Sequence, residues 1–342
     1  MRGRTSPRGR GAAARRAATV IALIATALTA ACMPRFQPEG PLNEQPELRD
    51  HRFLTRDRLE LPVRIWLPDE EPKAVFLALH GFNDYSNAFV EPANFWRRQG
   101  IATFAYDQRG FGNTPNRGYW PGVAPLADDA ADMLRILHRR YPGAPLYVLG
   151  DSMGAAVAAV MEANDRTLPV AGMILVAPAV WARDTMNPFQ SGLLWFAAHS
   201  VPWMTVSGRG LDIMPSDNIA MLRALARDPL VIKDSRIDTL YGLADLMDAA
   251  MADADKLRAP LLVLYGDHDE VVPRDPVMEF LQRLTKSDAH ARAAFYSTGY
   301  HMLLRDLSAE TVMRDVASWI SDANTPLPSG AEIRAMHALA AP

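Results

Sequence analysis

The pentapeptide Gly150-Asp151-Ser152-Met153-Gly154 places a serine between two glycines. A serine hydroxyl is a weak nucleophile until it projects from the backbone and a base removes its proton. A G-x-S-x-G elbow achieves the first condition: the serine sits on a sharp strand-to-helix turn, and the glycines leave room for that strained backbone. The flanks fit, because the apolar PLYVL before it reads as a strand and AAVAAVMEA after it as a helix. The chemistry indicated is acyl transfer, with a base and an orienting acid supplied from later in the chain.

The chain order Ser, acid, His selects the partners. Of the eight histidines, only His301 and His337 follow the last strand candidate. His301 lies in a loop after Ser297-Thr298-Gly299 and before a helix, so it is the expected base. The acid belongs in the loop after the preceding strand, where LLVLYGDHDEVVP offers Asp267, Asp269 and Glu270. Spacing alone leaves Asp267 and Asp269 both open. Asp267-His268-Asp269-Glu270 has metal-ligand residue types, but no second ligand cluster accompanies it and no metal is expected. An oxyanion hole needs two backbone N–H donors, each stabilising the tetrahedral intermediate by about 3–4 kcal/mol. Met153, next after the nucleophile, supplies one. Phe82, in the loop His80-Gly81-Phe82-Asn83, supplies the other, and His80 is read as a buttress of that loop.

These residues must be held by a scaffold. Leu61–Leu67, Ala74–His80, Ile101–Tyr106, Pro145–Gly150, Val170–Val176, Pro260–Tyr265 and Arg292–Tyr296 are short apolar runs suited to strands buried on both faces. Helical patterns at Leu126–Arg140, Val277–Leu284 and Ala309–Ile320 alternate with them. Strand–helix alternation implies an α/β fold with a mostly parallel central sheet flanked by helices. From about Trp181 to Leu257 the rhythm breaks and no strand is expected, which reads as a helical cap inserted before the acid-bearing strand. Its Trp181, Trp195 and Phe196 are expected to meet an apolar substrate. Residues 323–342 read as a peripheral tail.

LHGFNDYS, AYDQRGFGNT, GDSMG, ARDPLV, YGDHDEVVP and GYHMLLRD occur in the order of the α/β-hydrolases. Together they resemble the monoacylglycerol lipase and lysophospholipase group, the serine aminopeptidase-like hydrolases, over about Phe53 to Ser321. The resemblance implies a Ser152–Asp269–His301 triad, since in that family the acid stands three residues after the glycine of the G-x-x-D turn, here Gly266. It also implies a helical cap, hydrolysis of lipid-like carboxylic esters through an acyl-enzyme, and no cofactor. Thr114 stands where the family motif has serine, with no effect on the chemistry expected. Peptidase or amidase chemistry on the same triad, or a non-catalytic binding role, are the rival readings. Dehalogenase chemistry is disfavoured because the elbow holds Ser and not Asp.

The beginning of the chain reads as an address. Six arginines and no acid precede residue 32, and the apolar run Ala17–Ala31 is shorter than the roughly 20 residues that span a bilayer. Residues 1–31 therefore read as a signal peptide. Leu28-Thr29-Ala30-Ala31-Cys32 resembles the lipobox of bacterial lipoproteins, although Thr29 replaces the usual Leu or Val. The resemblance implies lipidation of Cys32 and export to a bacterial envelope membrane on the periplasmic side, with the outer membrane favoured over the inner. Residues 32–50, with four prolines, read as an extended tether before a hydrolase domain at 51–322. The 342 residues carry 36 basic and 39 acidic side chains and one Cys. A single Cys excludes an internal disulfide. The net charge of -3 gives no reason to expect nucleic acid. Without residues 1–31 the balance is 30 basic against 39 acidic, or -9, so a basic address masks an acidic domain.

Overall fold

Runs such as AVFLAL and IATFAY have no polar position to turn toward water, so both faces of each strand must be covered. The structure, a computed structural model that describes residues 33–42 and 45–340, meets this demand with one nine-stranded sheet. Three edge strands come first: β1 (Glu47–Arg49), β2 (Arg52–Leu54) and β3 (Glu60–Trp66). β4 (Ala74–Leu79), α1 (Val90–Arg97), β5 (Ile101–Tyr106), α2 (Val123–Arg140), β6 (Leu146–Asp151), α3 (Met153–Asn164) and β7 (Gly172–Val176) follow. The inserted region then holds α4 (Pro188–Ser200), β8 (Thr205–Ser207), α5 (Ile219–Arg227), β9 (Asp234–Arg236) and α6 (Ile237–Asp253). β10 (Leu261–Gly266), α7 (Arg274–Leu284), β11 (Ala291–Tyr296), α8 (Ala309–Ser321) and α9 (Ala331–Ala340) complete the order.

The sheet runs β1-β2-β3-β5-β4-β6-β7-β10-β11. β1, β2 and β3 pair antiparallel, as does β3 with β5, and every later pairing is parallel. All six residues of β4, β5 and β10 are buried. One apolar layer packs α2, α3, α6 and α7 on one face of the sheet, and a second packs α1 and α8 on the other. Arg109 joins the β2–β3 loop to α2 at the antiparallel edge: its guanidinium forms two bonds to Asp57 (2.7 and 2.8 Å) and two to Asp129 (2.6 and 2.7 Å). Burial opposes ionisation of Asp57, but the hydrogen bonds from Arg109 and Thr55 outweigh it and hold the carboxyl well below its usual range.

Two expectations change. The inserted region contains strands after all: β8 and β9 form a small antiparallel ribbon of three pairs, too short and too exposed to show an apolar pattern. The insertion is also continuous with the main core, where α6 lays Ala244, Leu246, Ala250 and Met251 against α3. The expected tail is also structural. Residues 331–340 form α9, whose Ala331 and Ala335 are buried, and Arg334 donates to the Phe295 carbonyl of β11 at 2.7 Å. Its buried face is made of alanine, which gives little hydrophobic contrast in sequence.

The expected tether is extended but not free. Phe36 bridges Trp120, Gln37 N–H donates to the Trp120 carbonyl at 2.8 Å, and residues 47–49 enter the sheet as β1. The signal peptide at 1–31 and the lipidation site Cys32 lie outside the described residues.

Candidate active site

Three loops at the carboxyl ends of parallel strands converge on Ser152. The first is the elbow itself. Ser152 has φ 52° and ψ -110°, a conformation that side-chain-bearing residues rarely adopt. It is held there from all sides: its N–H donates to Val176 O at 2.8 Å, and its carbonyl accepts from Ala155 (3.0 Å) and Ala179 (3.1 Å). A side chain at Gly150 would strike the backbone of Gly154 and Ala155, and one at Gly154 would strike the carbonyl of Leu79. The two glycines therefore let α3 pack directly on the ends of β6 and β4, which is why the serine projects.

The second loop follows β10. Asp269 Oδ1 accepts from the N–H groups of Val271 (2.8 Å) and Val272 (2.9 Å), which leaves Oδ2 facing His301 Nδ1 at 2.8 Å. Asp267 turns outward instead and pairs with Arg274 at 3.2 Å. The third loop follows β11 and carries His301, whose Nε2 stands 3.0 Å from Ser152 Oγ. Asp306 pins this loop by accepting from Tyr300 N–H (2.8 Å) and Ser216 Oγ–H (2.6 Å). His301 is buried, which by itself would lower its pKa, but the adjacent Asp269 carboxylate outweighs burial and Asp151 adds to it. The imidazole is therefore raised above its ordinary 6.5.

Phe82 lies in the loop after β4, and Met153 is the first residue of α3. Neither N–H donates to another group among the described residues. Both are therefore available to an oxygen bound beside Ser152, and the first N–H groups of a helix favour negative charge there. His80 is fully buried below them. Its Nε2 accepts from Gln108 N–H at 2.9 Å, so Nδ1 carries the proton and donates to Gly81 O at 2.8 Å. Burial lowers its pKa and keeps it neutral, as a brace for the loop. Thr114 donates to Phe111 O at 2.7 Å, away from Ser152.

Comparison with known proteins agrees with this architecture. The family model described as "Serine aminopeptidase, S33" matches residues 70–308. The chain belongs to the serine aminopeptidase S33 family. It is 26% identical over 276 residues to the monoacylglycerol lipase of Mycolicibacterium smegmatis, covering 79% of this chain and 96% of that one. It is 27% identical over 301 residues to the monoglyceride lipase of Mus musculus, covering 85% and 95%. Among solved structures it resembles a monoacylglycerol lipase from Paleococcus ferrophilus (TM-score 0.64, 21% identity, 76% of this chain and 98% of that one). It also resembles a soluble variant of monoglyceride lipase from Saccharomyces cerevisiae (TM-score 0.62, 19% identity, 86% and 99%). The fold is that of the α/β-hydrolases.

In this S33 member a cavity of about 450 Å³ opens over Ser152 and His301. The inserted region supplies its apolar wall, including Trp181, Met186, Leu194, Leu243 and Met247. A roomier cavity of about 560 Å³ lies beside β1–β3 and holds none of Ser152, Asp269 or His301. Trp181 thus stands where sequence reasoning puts it. Trp195 and Phe196 do not: they are 54% and 61% exposed on α4 and line no part of the Ser152 cavity. α4 is apolar on nearly every side, and only the stripe through Leu194 and Ala198 turns inward. Sequence reasoning passed over Asp84, Asp151 and Arg305, which line the same cavity. Arg305 pairs with Asp84 at 2.7 Å, a contact between two motifs that sequence spacing does not reveal. Among the described residues no group of three or more His, Cys, Asp or Glu is placed to hold a metal.

Proposed function

We propose that this protein is a serine hydrolase that cleaves carboxylic esters of lipid-like substrates through an acyl-enzyme. The observation that carries the reading is the hydrogen-bonded line Ser152–His301–Asp269 at the base of an apolar-walled cavity. Ser152 Oγ attacks the ester carbonyl as His301 Nε2 takes its proton. The carbonyl oxygen, now an oxyanion, moves between the N–H groups of Phe82 and Met153. His301 then returns the proton to the departing alcohol, and Asp269 stabilises the imidazolium formed in between. A water molecule, activated by the same imidazole, attacks the acyl-Ser152 ester and releases the carboxylic acid. The apolar wall suits an acyl chain. The names of the monoacylglycerol and monoglyceride lipase relatives support a glycerol ester over a peptide.

A fluorophosphonate probe, with p-nitrophenyl esters and aminoacyl-nitroanilides as paired substrates, tests the proposal. Wild type is expected to label and to turn over esters well ahead of anilides, and Ser152→Ala is expected to do neither. Absence of labelling in wild type, or labelling that persists in Ser152→Ala, refutes the serine mechanism. Faster anilide turnover refutes the ester assignment.

The proposal includes an address. Residues 1–31 direct export, Cys32 carries the lipid, and the domain sits on the periplasmic side of a bacterial envelope membrane. The residue pattern before Cys32 supports it.

A further inference from the structure

Residues 297–308, which carry His301, belong to no helix or strand. Backbone N–H groups in such a loop need partners from elsewhere if the loop is to keep one shape. The two that flank His301 have them. Met302 N–H donates to the Pro215 carbonyl at 2.9 Å. Tyr300 N–H donates to Asp306 Oδ2 at 2.8 Å, and Asp306 Oδ1 accepts from Ser216 Oγ–H at 2.6 Å. Pro215 and Ser216 belong to the inserted region, in the loop between β8 and α5. The histidine is therefore held on both sides by the insertion, directly through Pro215 and through Asp306 by Ser216.

The holding segment is itself well fixed. The proline ring restricts φ at 215. Ser216 is fully buried, and its Oγ also accepts from Asn218 N–H at 3.1 Å, which closes a tight turn. Asn218 caps α5, with Oδ1 accepting from Met221 N–H at 3.1 Å, while its Nδ2 donates to the Arg305 carbonyl at 3.0 Å. Met214 N–H donates to Glu270 Oε2 at 2.7 Å, next to Asp269, so the same segment is bonded to the acid loop. Ser216 lines no part of the Ser152 cavity. Its route to the reaction runs through Asp306 and the Tyr300–His301 backbone. That route matters because His301 stands 3.0 Å from Ser152 Oγ and 2.8 Å from Asp269 Oδ2. A misplacement of about 1 Å in such a line costs up to about 100-fold in rate.

We propose that Ser216 is a positioning residue for the reaction: through Asp306 it sets where His301 stands between Ser152 and Asp269. The inserted region then holds the triad in line as well as walling the cavity. The inference rests on the Ser152–His301–Asp269 reading and names a residue outside the triad on which that line depends.

Ser216→Ala tests it, with Thr55→Val as its control. Thr55 is also fully buried and its Oγ1–H donates to a carboxylate, Asp57, at 2.5 Å, but that bond lies in the β2–β3 loop and leads to none of the three catalytic loops. Both variants are expected to unfold at a lower temperature than wild type, since each leaves a buried carboxylate short of a donor. On p-nitrophenyl butyrate, Ser216→Ala is expected to lower kcat by about tenfold or more and to leave KM within about twofold. The acid-limb midpoint is expected to move to lower pH, because His301 loses part of the contact with Asp269 that raises its pKa. Thr55→Val is expected to keep kcat within about twofold of wild type and the midpoint unmoved. If Ser216→Ala does not fold, Ser216→Cys, of similar size and with a weak S–H donor, takes its place with the same expectations. A wild-type kcat and midpoint in the folded Ser216 variant overturn the positioning role and leave the triad reading intact. An equal loss of kcat in Thr55→Val overturns it too, because lost stability then accounts for the effect. A wild type that a fluorophosphonate fails to label removes the triad reading, and the role of Ser216 with it.

Discussion

The carboxylate of Asp269 divides its two oxygens between two jobs. Oδ1 is saturated by the N–H groups of Val271 and Val272, so Oδ2 is fixed in the plane that faces His301. An amide in its place keeps the loop bonds but turns an NH2 toward the imidazole and favours the wrong tautomer. Asp269→Asn is accordingly expected to lower kcat by about 10⁴-fold, whereas Asp267→Asn, which breaks only an outward ion pair with Arg274, leaves it within about twofold. Measuring both on one soluble ester checks the assignment; a large loss at Asp267 would reverse it. The acid limb of kcat/KM follows from the same geometry. His301 must be neutral to accept the proton of Ser152. Asp269 and Asp151 raise its pKa against burial and Arg305, so activity falls as pH drops through a midpoint above 6.5. Removing one of those charges in Asp151→Asn moves the midpoint to lower pH, and an unmoved midpoint contradicts the coupling. The serine and the base were legible in the sequence because the elbow and the chain order constrain them locally. The choice between Asp267 and Asp269 needed the family pattern. Asp151 and Arg305 were missed as site residues because their meaning lies in who stands beside them after folding.

At the scale of elements, the elbow works only because α3 starts against the ends of two strands. Gly154 lies so close to the Leu79 carbonyl that even a methyl group forces α3 away from β4. That displacement also moves the Met153 N–H, the first donor of the helix. Gly154→Ala is therefore expected to lower stability by about 1–3 kcal/mol and to cut fluorophosphonate labelling in the fraction that remains folded. Thermal unfolding and the labelling rate measure the two effects separately, and normal values for both would show that the contact relaxes freely. The central strands were readable for a related reason: burial on both faces leaves an uninterrupted apolar run, and Ile101–Tyr106 has the same limits in sequence and structure. β8, β9 and α9 were not readable. The ribbon is stabilised by pairing and not by burial, and α9 docks through alanines whose contribution is close approach.

At the scale of the whole molecule, the amino-terminal segment changes what an anchor at Cys32 would do. Four prolines suggest a spacer that holds the domain at a distance. The chain is instead fastened almost at once: Arg35 N–H lies 3.3 Å from Asp238 Oδ2 at the start of α6, and Gln37 is bonded to Trp120. Only two residues separate Cys32 from Arg35, a span of about 10 Å when extended. A lipid on Cys32 would therefore hold the start of α6 close to the bilayer, with the inserted region beside it. Two consequences can be measured together. Cys32→Ser is expected to abolish incorporation of labelled palmitate and move the protein from the membrane to the soluble fraction. It is also expected to leave hydrolysis of a soluble p-nitrophenyl ester unchanged, since Cys32 precedes every element that positions Ser152. Hydrolysis of a membrane-embedded monoacylglycerol should fall, because the cavity is no longer held at the surface that supplies the substrate. Palmitate incorporation at the wild-type level in Cys32→Ser rules out lipidation at this residue. Loss of soluble-ester activity in the same variant would mean that the segment docked on Trp120 and Asp238 supports the fold itself and not only its attachment.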